Sequence, residues 1–447
     1  MIFNHHKRKG TFTTGLILFL FLCGVSYSQN VKVLNLTEAI SLAQRYNSDL
    51  INVRYEKLKA EEKVSEVYSE NLVPTLTLSS QYTRAIKQNF FTLSIGGQTQ
   101  RIAVGTDNTI TTTLSVTEAI PVLGTPIMSG IKIAEYYSRL QDEMVNQVEH
   151  RVKTDVTKAF LNVLLTKEVV NLNQLSLNNA QENLRVVEAR FRVGTALEFD
   201  YLRAKVRVET IRPNLIQAEH NFEISKKFLR TTIGLKDNRD IDVAGSLDYD
   251  STEVFGSVEN ILNTISDKNV AIRQLRIGRS INEELVRVSK ANLMPKFYLF
   301  GQIQNQAAEN DGKSFFKFPF FTAINAGIGM SWDLNIFKTQ FKVNQSEIDV
   351  KKTDETIADV REKLKTQGES ILLRLQDAKN RITAQKENVE MAERGLELAN
   401  ISFKSGVINQ IDVFDAELLV NQVRLGYVQA IYDYLNARTE LEQLLEK

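Results

Sequence analysis

The chain has 447 residues with 55 basic and 54 acidic side chains, one cysteine and six prolines, none of them after Pro319. Near-neutral charge removes the electrostatic case for nucleic acid, and a lone thiol excludes a disulfide framework or a thiolate metal site. A chain of this length would ordinarily divide into about three domains, but so few prolines suit long uninterrupted helices.

Residues 1–28 read as an export signal. His5, His6, Lys7, Arg8 and Lys9 precede an apolar run from Leu16 to Val25, and Ser26-Tyr27-Ser28 supplies a small-x-small cleavage site. The run is shorter than the roughly 20 residues needed to span a bilayer, which disfavours a signal anchor. Cys23 follows Leu22 rather than a small residue, so lipidation is disfavoured as well. The mature chain then begins near Gln29, keeps no cysteine, and carries 52 basic against 54 acidic residues. No later stretch has the 18 or more consecutive apolar residues of a membrane helix, so an exported chain of this kind enters a membrane by strands if it enters one at all.

The first predicted helix runs from Thr37 to about Ser69, and Pro74 ends it by forcing its predecessor toward extended geometry. Alternation follows. Leu76, Leu78, Ser80 and Tyr82 oppose Thr75, Thr77, Ser79, Gln81 and Thr83, and Ile110, Leu114 and Val116 oppose Thr111, Thr113, Ser115 and Thr117. These predict strands over about 75–86 and 109–121, with Pro121 marking the return to helix. Ile131 to Val193 then passes 63 residues without glycine or proline, which as one helix would reach about 95 Å. Val156, Ala159, Phe160, Val163 and Leu164 form an apolar stripe at helical spacing, and Ala180, Leu184, Val187 and Phe191 continue it at heptad-like spacing. Gly194 supplies a chain reversal in the left-handed conformation. A return helix, about Phe199 to Thr232, contains Pro213, where a kink or break is expected.

The same order then recurs. Glu-Asn-Leu-Val-Pro-Thr-Leu-Thr-Leu at Glu70 to Leu78 returns as Ala-Asn-Leu-Met-Pro-Lys-Phe-Tyr-Leu at Ala291 to Leu299, an offset of 221. Phe191-Arg-Val-Gly194 returns as Phe403-Lys-Ser-Gly406, an offset of 212. Two anchors in one order indicate duplication of a unit of about 200 residues, here assigned to 29–245 and 246–447. The second unit has an opening helix from Val258 to about Ala291 ended by Pro295, strands over about 296–306 and 321–334, and a rod from about Thr339 to Ser405. Gly368 and Gly395 interrupt that rod at little cost. A return helix follows Gly406, from about Val413 to Leu445.

A soluble sheet is one reading of the four strands. A membrane barrel is favoured, because ten residues is the span of a tilted membrane strand and the Thr, Ser, Gln, Asn and Gly face suits a wet lumen. Trp332, Phe316, Phe318, Phe320 and Phe321 lie at strand ends, as an aromatic girdle requires. Four strands cannot close a barrel, two copies would give one filled by its own side chains, and three are the fewest that leave a channel.

A duplicated helix–hairpin–helix unit, an export signal, the turns Arg190 to Gly194 and Ser402 to Gly406, Ile411-Asp-Val-Phe-Asp-Ala416 and Gly327-Ile-Gly-Met-Ser-Trp332 together resemble the TolC family of outer-membrane efflux proteins. The resemblance covers nearly all of the mature chain from Leu36. It implies a mainly α protein with membrane β-structure. Three copies would form a twelve-stranded outer-membrane barrel continuous with a periplasmic helical tunnel. A periplasmic adaptor and an inner-membrane transporter would dock at its tip, with neither catalysis nor cofactor.

It also implies a periplasmic gate of acidic residues, which by position are Asp412 and Asp415 in the second unit and Asp200 in the first. Spacing i, i+3 puts the pair on one face of the return helix, so three copies would stack two acidic rings. The alternative is that Asp412 and Asp200 cap return helices. Where the resemblance implies, from the family's best-known member, an aromatic hydroxyl and an arginine tying the closed tip, this chain has Phe403 and Ile408, so packing, or a tie through Arg192 or Arg203, is expected instead.

No other chemistry competes. His150 and His220 are isolated on helical segments, no phosphate loop or nucleophile–base constellation can be assembled, and Gly327 and Gly329 read as small lumen-facing residues. A structural or adhesive coiled-coil anchor needs only one barrel segment, and a soluble adaptor needs β-rich flanking domains; two equivalent hairpins between equivalent rods fit a tunnel wall better than either.

Overall fold

The computed structural model describes residues 32–121, 126–236, 240–250, 256–312, 314 and 317–446; the export signal and Phe316 lie outside them. The first half runs β1 (Lys32–Leu34), α1 (Leu36–Tyr46), α2 (Ser48–Leu72), β2 (Thr75–Arg84), β3 (Asn89–Ile95), β4 (Gln98–Val104), β5 (Asn108–Ala119), α3 (Pro126–Arg192), α4 (Glu198–Ile233) and β6 (Ile241–Val243). The second runs α5 (Val258–Lys268), α6 (Val270–Ala291), β7 (Lys296–Glu309), β8 (Phe320–Ser331), α7 (Ile336–Lys404) and α8 (Gln410–Leu445). The rods α3 and α7 have 67 and 69 residues, about 100 Å each.

Three helices differ from the sequence expectation. Each opening helix is broken, at Asn47 and at Asn269, and the two breaks are built alike. Asn47 caps α2 by accepting from Asp49 N (2.9 Å) and donates Nδ2 to Thr232 O (2.9 Å) at the end of α4. Asn269 caps α6 by accepting from Ala271 N (3.0 Å) and donates Nδ2 to Leu444 O (3.1 Å) at the end of α8. One side chain therefore satisfies a helix start and a helix end at once, and it pins the opening helix to the return helix at mid-height. The third difference is Pro213, through which α4 runs unbroken. It sits on the exposed face between buried Ile211 and Leu215, so the carbonyl it leaves unpaired is open to water.

Around each break a compact core forms. In the first half Leu34, Ala39, Ala43, Val156, Phe160, Val163, Leu229, Ile233, Ile241 and Val243 pack together, and β1 pairs in parallel with β6 to close it. In the second half Ile265, Ile272, Ile371, Leu375, Ile382, Tyr434 and Leu441 do the same, with no strand there among the described residues. Gly368 has a structural use here. A Cβ on it would lie 2.9 Å from Leu262 Cδ2 and 3.2 Å from Ile265 Cδ1, so its absence lets α5 approach α7 closely.

At one end of the rods β2, β5, β7 and β8 form one antiparallel sheet in that order. Pairing of β5 with β7, from Asn108↔Glu309 to Ala119↔Tyr298, joins the two halves. The register puts Leu76, Leu78, Leu114, Val116, Leu299, Ile303, Ile324 and Ile328 on one face, and Thr77, Ser79, Thr113, Ser115, Gln302, Gln304 and Asn325 on the other. The apolar side chains on the first face are exposed, Ile324 at 74%. The edges β2 and β8 have no partner strand among the described residues.

At the end of the sheet away from the rods, Tyr82 Oη donates to Asn108 (2.6 Å), Asn108 Nδ2 to Asp311 (2.9 Å), and Arg84 to Asp311 (3.0 Å). Beyond it β3 and β4 make a separate two-stranded ribbon, which the sequence reading leaves as loop. Gly96 and Gly97, at φ 63° and 87°, form its turn.

Candidate functional site

Both chain reversals lie at the end of the rods opposite the sheet, and they are close copies. Gly194 and Gly406 each have φ 76°. Thr195 N donates to Arg190 O (2.8 Å) and Val407 N to Ser402 O (2.9 Å), closing the two helices in the same way. The reversals sit side by side. Phe414 of α8 packs against Val187 of α3 and Ala204 of α4, with Leu184, Tyr201 and Phe403 at the margin, and Phe191 stacks on Tyr201 at 5.5 Å.

The tie across this tip is neither of the two arginines expected. Arg192 pairs with Glu188 on its own helix (2.6 Å), and Arg203 lies over Phe199 on its own helix (4.5 Å). Arg190 instead places its guanidinium 4.6 Å from the centre of the Phe403 ring, joining the end of α3 to the end of α7. The Phe403 ring thus serves as a cation–π acceptor.

Asp412 and Asp415 are exposed on the first turns of α8. Asp412, in the third helical position, accepts a hydrogen bond from Asn409 N (2.9 Å), so its carboxylate helps cap the helix. Asp415 makes no ion pair or hydrogen bond among the described residues and is the freer carboxylate. Asp200 also occupies a third position, in α4, yet it accepts no such bond, and Leu197 stands at the N-cap without a side-chain bond. Capping therefore accounts for part of Asp412 and for neither of the others.

Sequence reasoning missed the seam above the tip. Glu417, 7% exposed, accepts from Asn183 Nδ2 (2.6 Å), and one turn on Asn421 Nδ2 donates to Ser176 (3.0 Å), so α8 is stitched to α3. Polar residues on the buried stripe of Val413, Phe414 and Val420 were the available signal. Burial pushes the Glu417 carboxyl above the ordinary 4.5, opposed by the attraction of Arg207 and by the Asn183 bond. The charged groups Glu393 and Glu397 of α7 and Arg424 of α8 line the same groove, with Arg424 paired to Glu393 at 2.5 Å.

A carboxyl raised in the folded state contributes stability below 4.5 that is lost as pH rises through its folded value. Glu417→Gln keeps an acceptor for Asn183 and removes the charge. It is therefore expected to stabilise the protein at pH 7.5 by on the order of 1 kcal/mol, read as a raised melting temperature, and to leave the melting temperature unchanged near pH 4. A fall at pH 7.5 would mean that attraction to Arg207 outweighs burial.

The other predicted positions belong to the sheet end. Pro74 and Pro295 stand between α2 and β2 and between α6 and β7, and Pro121 lies two residues beyond β5. Phe320 is 54% exposed on the apolar face at the far end, and Trp332, 50% exposed, lies at the rod end with its Nε1 donating to Leu293 O (3.1 Å). Phe318 departs from expectation. It folds onto Ile110 and Ala307 and is only 8% exposed, so it covers the sheet rather than projecting from it.

Rods turning at one end and a two-faced sheet at the other coincide with what comparison finds. The sequence matches the family described as outer membrane efflux protein over residues 39–235 and 261–446. The chain belongs to that family. Its similarity to the outer membrane protein TolC of Escherichia coli (strain K12) is 20% identity over 444 residues, 96% of this chain and 85% of that protein. Among solved structures, the outer-membrane channel OprN superposes with a TM-score of 0.73 at 15% identity, covering 92% of this chain and 89% of that one. The outer membrane protein VceC of Vibrio cholerae gives 0.71 at 14% identity, covering 92% and 96%. As an outer membrane efflux protein, the chain sits in the outer membrane by its strands and extends its rods into the periplasm. No helix among the described residues is long and apolar enough to cross a membrane.

Proposed function

We propose that three copies assemble into the exit duct of a tripartite efflux or type I secretion system, passing cargo from an inner-membrane transporter and periplasmic adaptor to the exterior. The observation that carries this is the four-stranded sheet, with exposed apolar side chains on one face, polar ones on the other and both edges unpaired among the described residues. In hydrocarbon each unpaired backbone group would cost several kcal/mol. Pairing β8 of one copy with β2 of the next removes every edge, and twelve strands leave a lumen where eight would fill it.

In this assembly the two halves, near 29–245 and 246–447, act as equivalent wall segments. Trp332 and Phe320 anchor the two membrane interfaces, and Asp412, Asp415 and Asp200 face the narrowing of the tip. The Arg190–Phe403 contact and the Asn183–Glu417 seam hold neighbouring helical hairpins together there.

Outer-membrane fractionation with unheated gel electrophoresis tests the assembly. A heat-modifiable band of about three chain masses is expected in the outer-membrane fraction, with discrete conductance steps in a planar bilayer. Recovery of a monomer in the soluble periplasm would refute it.

A further inference from the structure

The polar face of the sheet carries one feature that a plain water-filled duct does not require. Tyr298 and Phe300 both point to that face from β7, and each lies opposite a glycine of β8, Tyr298↔Gly329 and Phe300↔Gly327. A Cβ on Gly329 would fall 2.2 Å from Tyr298 Cζ, and one on Gly327 would fall 3.0 Å from Phe300 Cζ. Both rings therefore reach across the neighbouring strand, with their outer edges over its bare backbone. Their centroids are 6.2 Å apart with the planes inclined at 46°, so they make one uneven aromatic shelf. The glycines are thus roofed by aromatic carbon rather than opening the lumen.

The shelf's surroundings are polar. Thr75 and Thr117 flank it on the same face, Gln302 and Asn325 follow it, and Lys296 precedes it. Among the described residues Phe321, at the opposite end of the strands, is the other aromatic on this face. Lys296 follows directly on Pro295, so the shelf stands where the rods give way to the sheet, a level that all cargo must cross.

Resting on the duct reading, we propose that Tyr298 and Phe300 form a lumenal contact surface for cargo bearing aromatic rings, above all aromatic organic cations. A ring held over bare backbone still turns part of its π face to the lumen, where it favours a cation or another ring by about twofold to fivefold. An attraction that weak retards such a molecule without trapping it, as conduction demands. Inorganic ions and ring-free solutes gain nothing from the shelf. Rings over glycines also brace a sheet, and a side chain of similar bulk without a π face would keep that role.

The test is block of the assembled channel in a planar bilayer by tetraphenylphosphonium, with tetrabutylammonium as a ring-free cation of equal charge. Wild type is expected to be blocked more tightly by tetraphenylphosphonium. Tyr298→Leu/Phe300→Leu is expected to lose that advantage, by about fivefold to thirtyfold for two contacts of this size, with tetrabutylammonium block unchanged. Tyr298→Phe keeps the ring and should keep the preference. Heat-modifiable trimer in each variant confirms assembly. Equal weakening for both cations, or no change in the double variant, would overturn the shelf while leaving the duct intact. Absence of any wild-type conductance would overturn the duct reading and the shelf with it.

Discussion

Gly234→Ala is expected to destabilise the protein by about 4 kcal/mol, in the far tail for single substitutions, and to deplete assembled protein from the outer membrane. Gly234 ends α4 at φ 88°, where a side chain is strained by roughly 1–2 kcal/mol. An added Cβ would lie 2.3 Å from Tyr46 O, 2.8 Å from Tyr46 C and 2.9 Å from Asn47 Cα. All three are backbone atoms at the joint between α1 and α2, so no rotamer change relieves the overlap. Relief requires separating the joint from α4. That movement would break the Asn47 to Thr232 bond and open the core around Leu34, Leu229 and Ile233. Gly245→Ala is the control, since φ there is 130° and an added Cβ meets nothing within 4 Å. Thermal unfolding of both variants separates strain from overlap, and a loss for Gly234→Ala no larger than for Gly245→Ala would show that the joint yields.

The second half reaches the same joint by another route. Glu446 occupies the place of Gly234 at the end of α8, in left-handed geometry at φ 56° despite its side chain. The carboxylate repays that strain by accepting from Val270 N and from Arg273, which also binds Glu143 of α3 at 2.8 Å. In the first half a bare backbone closes against a bare backbone, and in the second a carboxylate bridges the gap. The offset of 212 between the Gly194 and Gly406 turns pairs Gly234 with Glu446 as well. The alignment was therefore present in the sequence, but equivalent positions holding such different residues gave no sign of a common task.

This pattern explains what was legible. Rods, strands and reversals follow from periodicity and from glycine and proline, all of which act within a few residues. The strand bounds shifted by one to three residues, as in β7 continuing to Glu309. Gly96-Gly97 between alternating runs encodes the β3–β4 ribbon, but the polar residues of the flanking runs weaken the strand signal. The breaks at Asn47 and Asn269 were not readable locally, because their side chains answer to carbonyls 185 and 175 residues away. At the tip the acidic residues were visible. Their consequences depend on neighbours that only the fold supplies, such as Asn409 for Asp412, Asn183 for Glu417 and Phe403 for Arg190.

Neutralising the acidic pair is expected to change what the duct conducts more than how stably it folds. Asp412→Asn/Asp415→Asn should lower the cation-over-anion permeability ratio of the bilayer-inserted channel several-fold, because three copies would lose six carboxylates from the narrowest level. The two positions should not contribute equally. Asp412 spends part of its charge on the Asn409 N–H, whereas Asp415 is uncommitted, so Asp415→Asn alone should account for most of the shift. Asp412→Asn should add a stability loss of about 1 kcal/mol from the weakened helix start. Both carboxylates are exposed, so the effect must be screened. It should be large at 0.1 M salt, where the Debye length is about 10 Å, and small at 1 M, where it is about 3 Å. Reversal potentials in a salt gradient measure the ratio directly. An unchanged ratio at low salt in the double variant would remove Asp412 and Asp415 from the constriction and leave Asp412 as a helix cap alone.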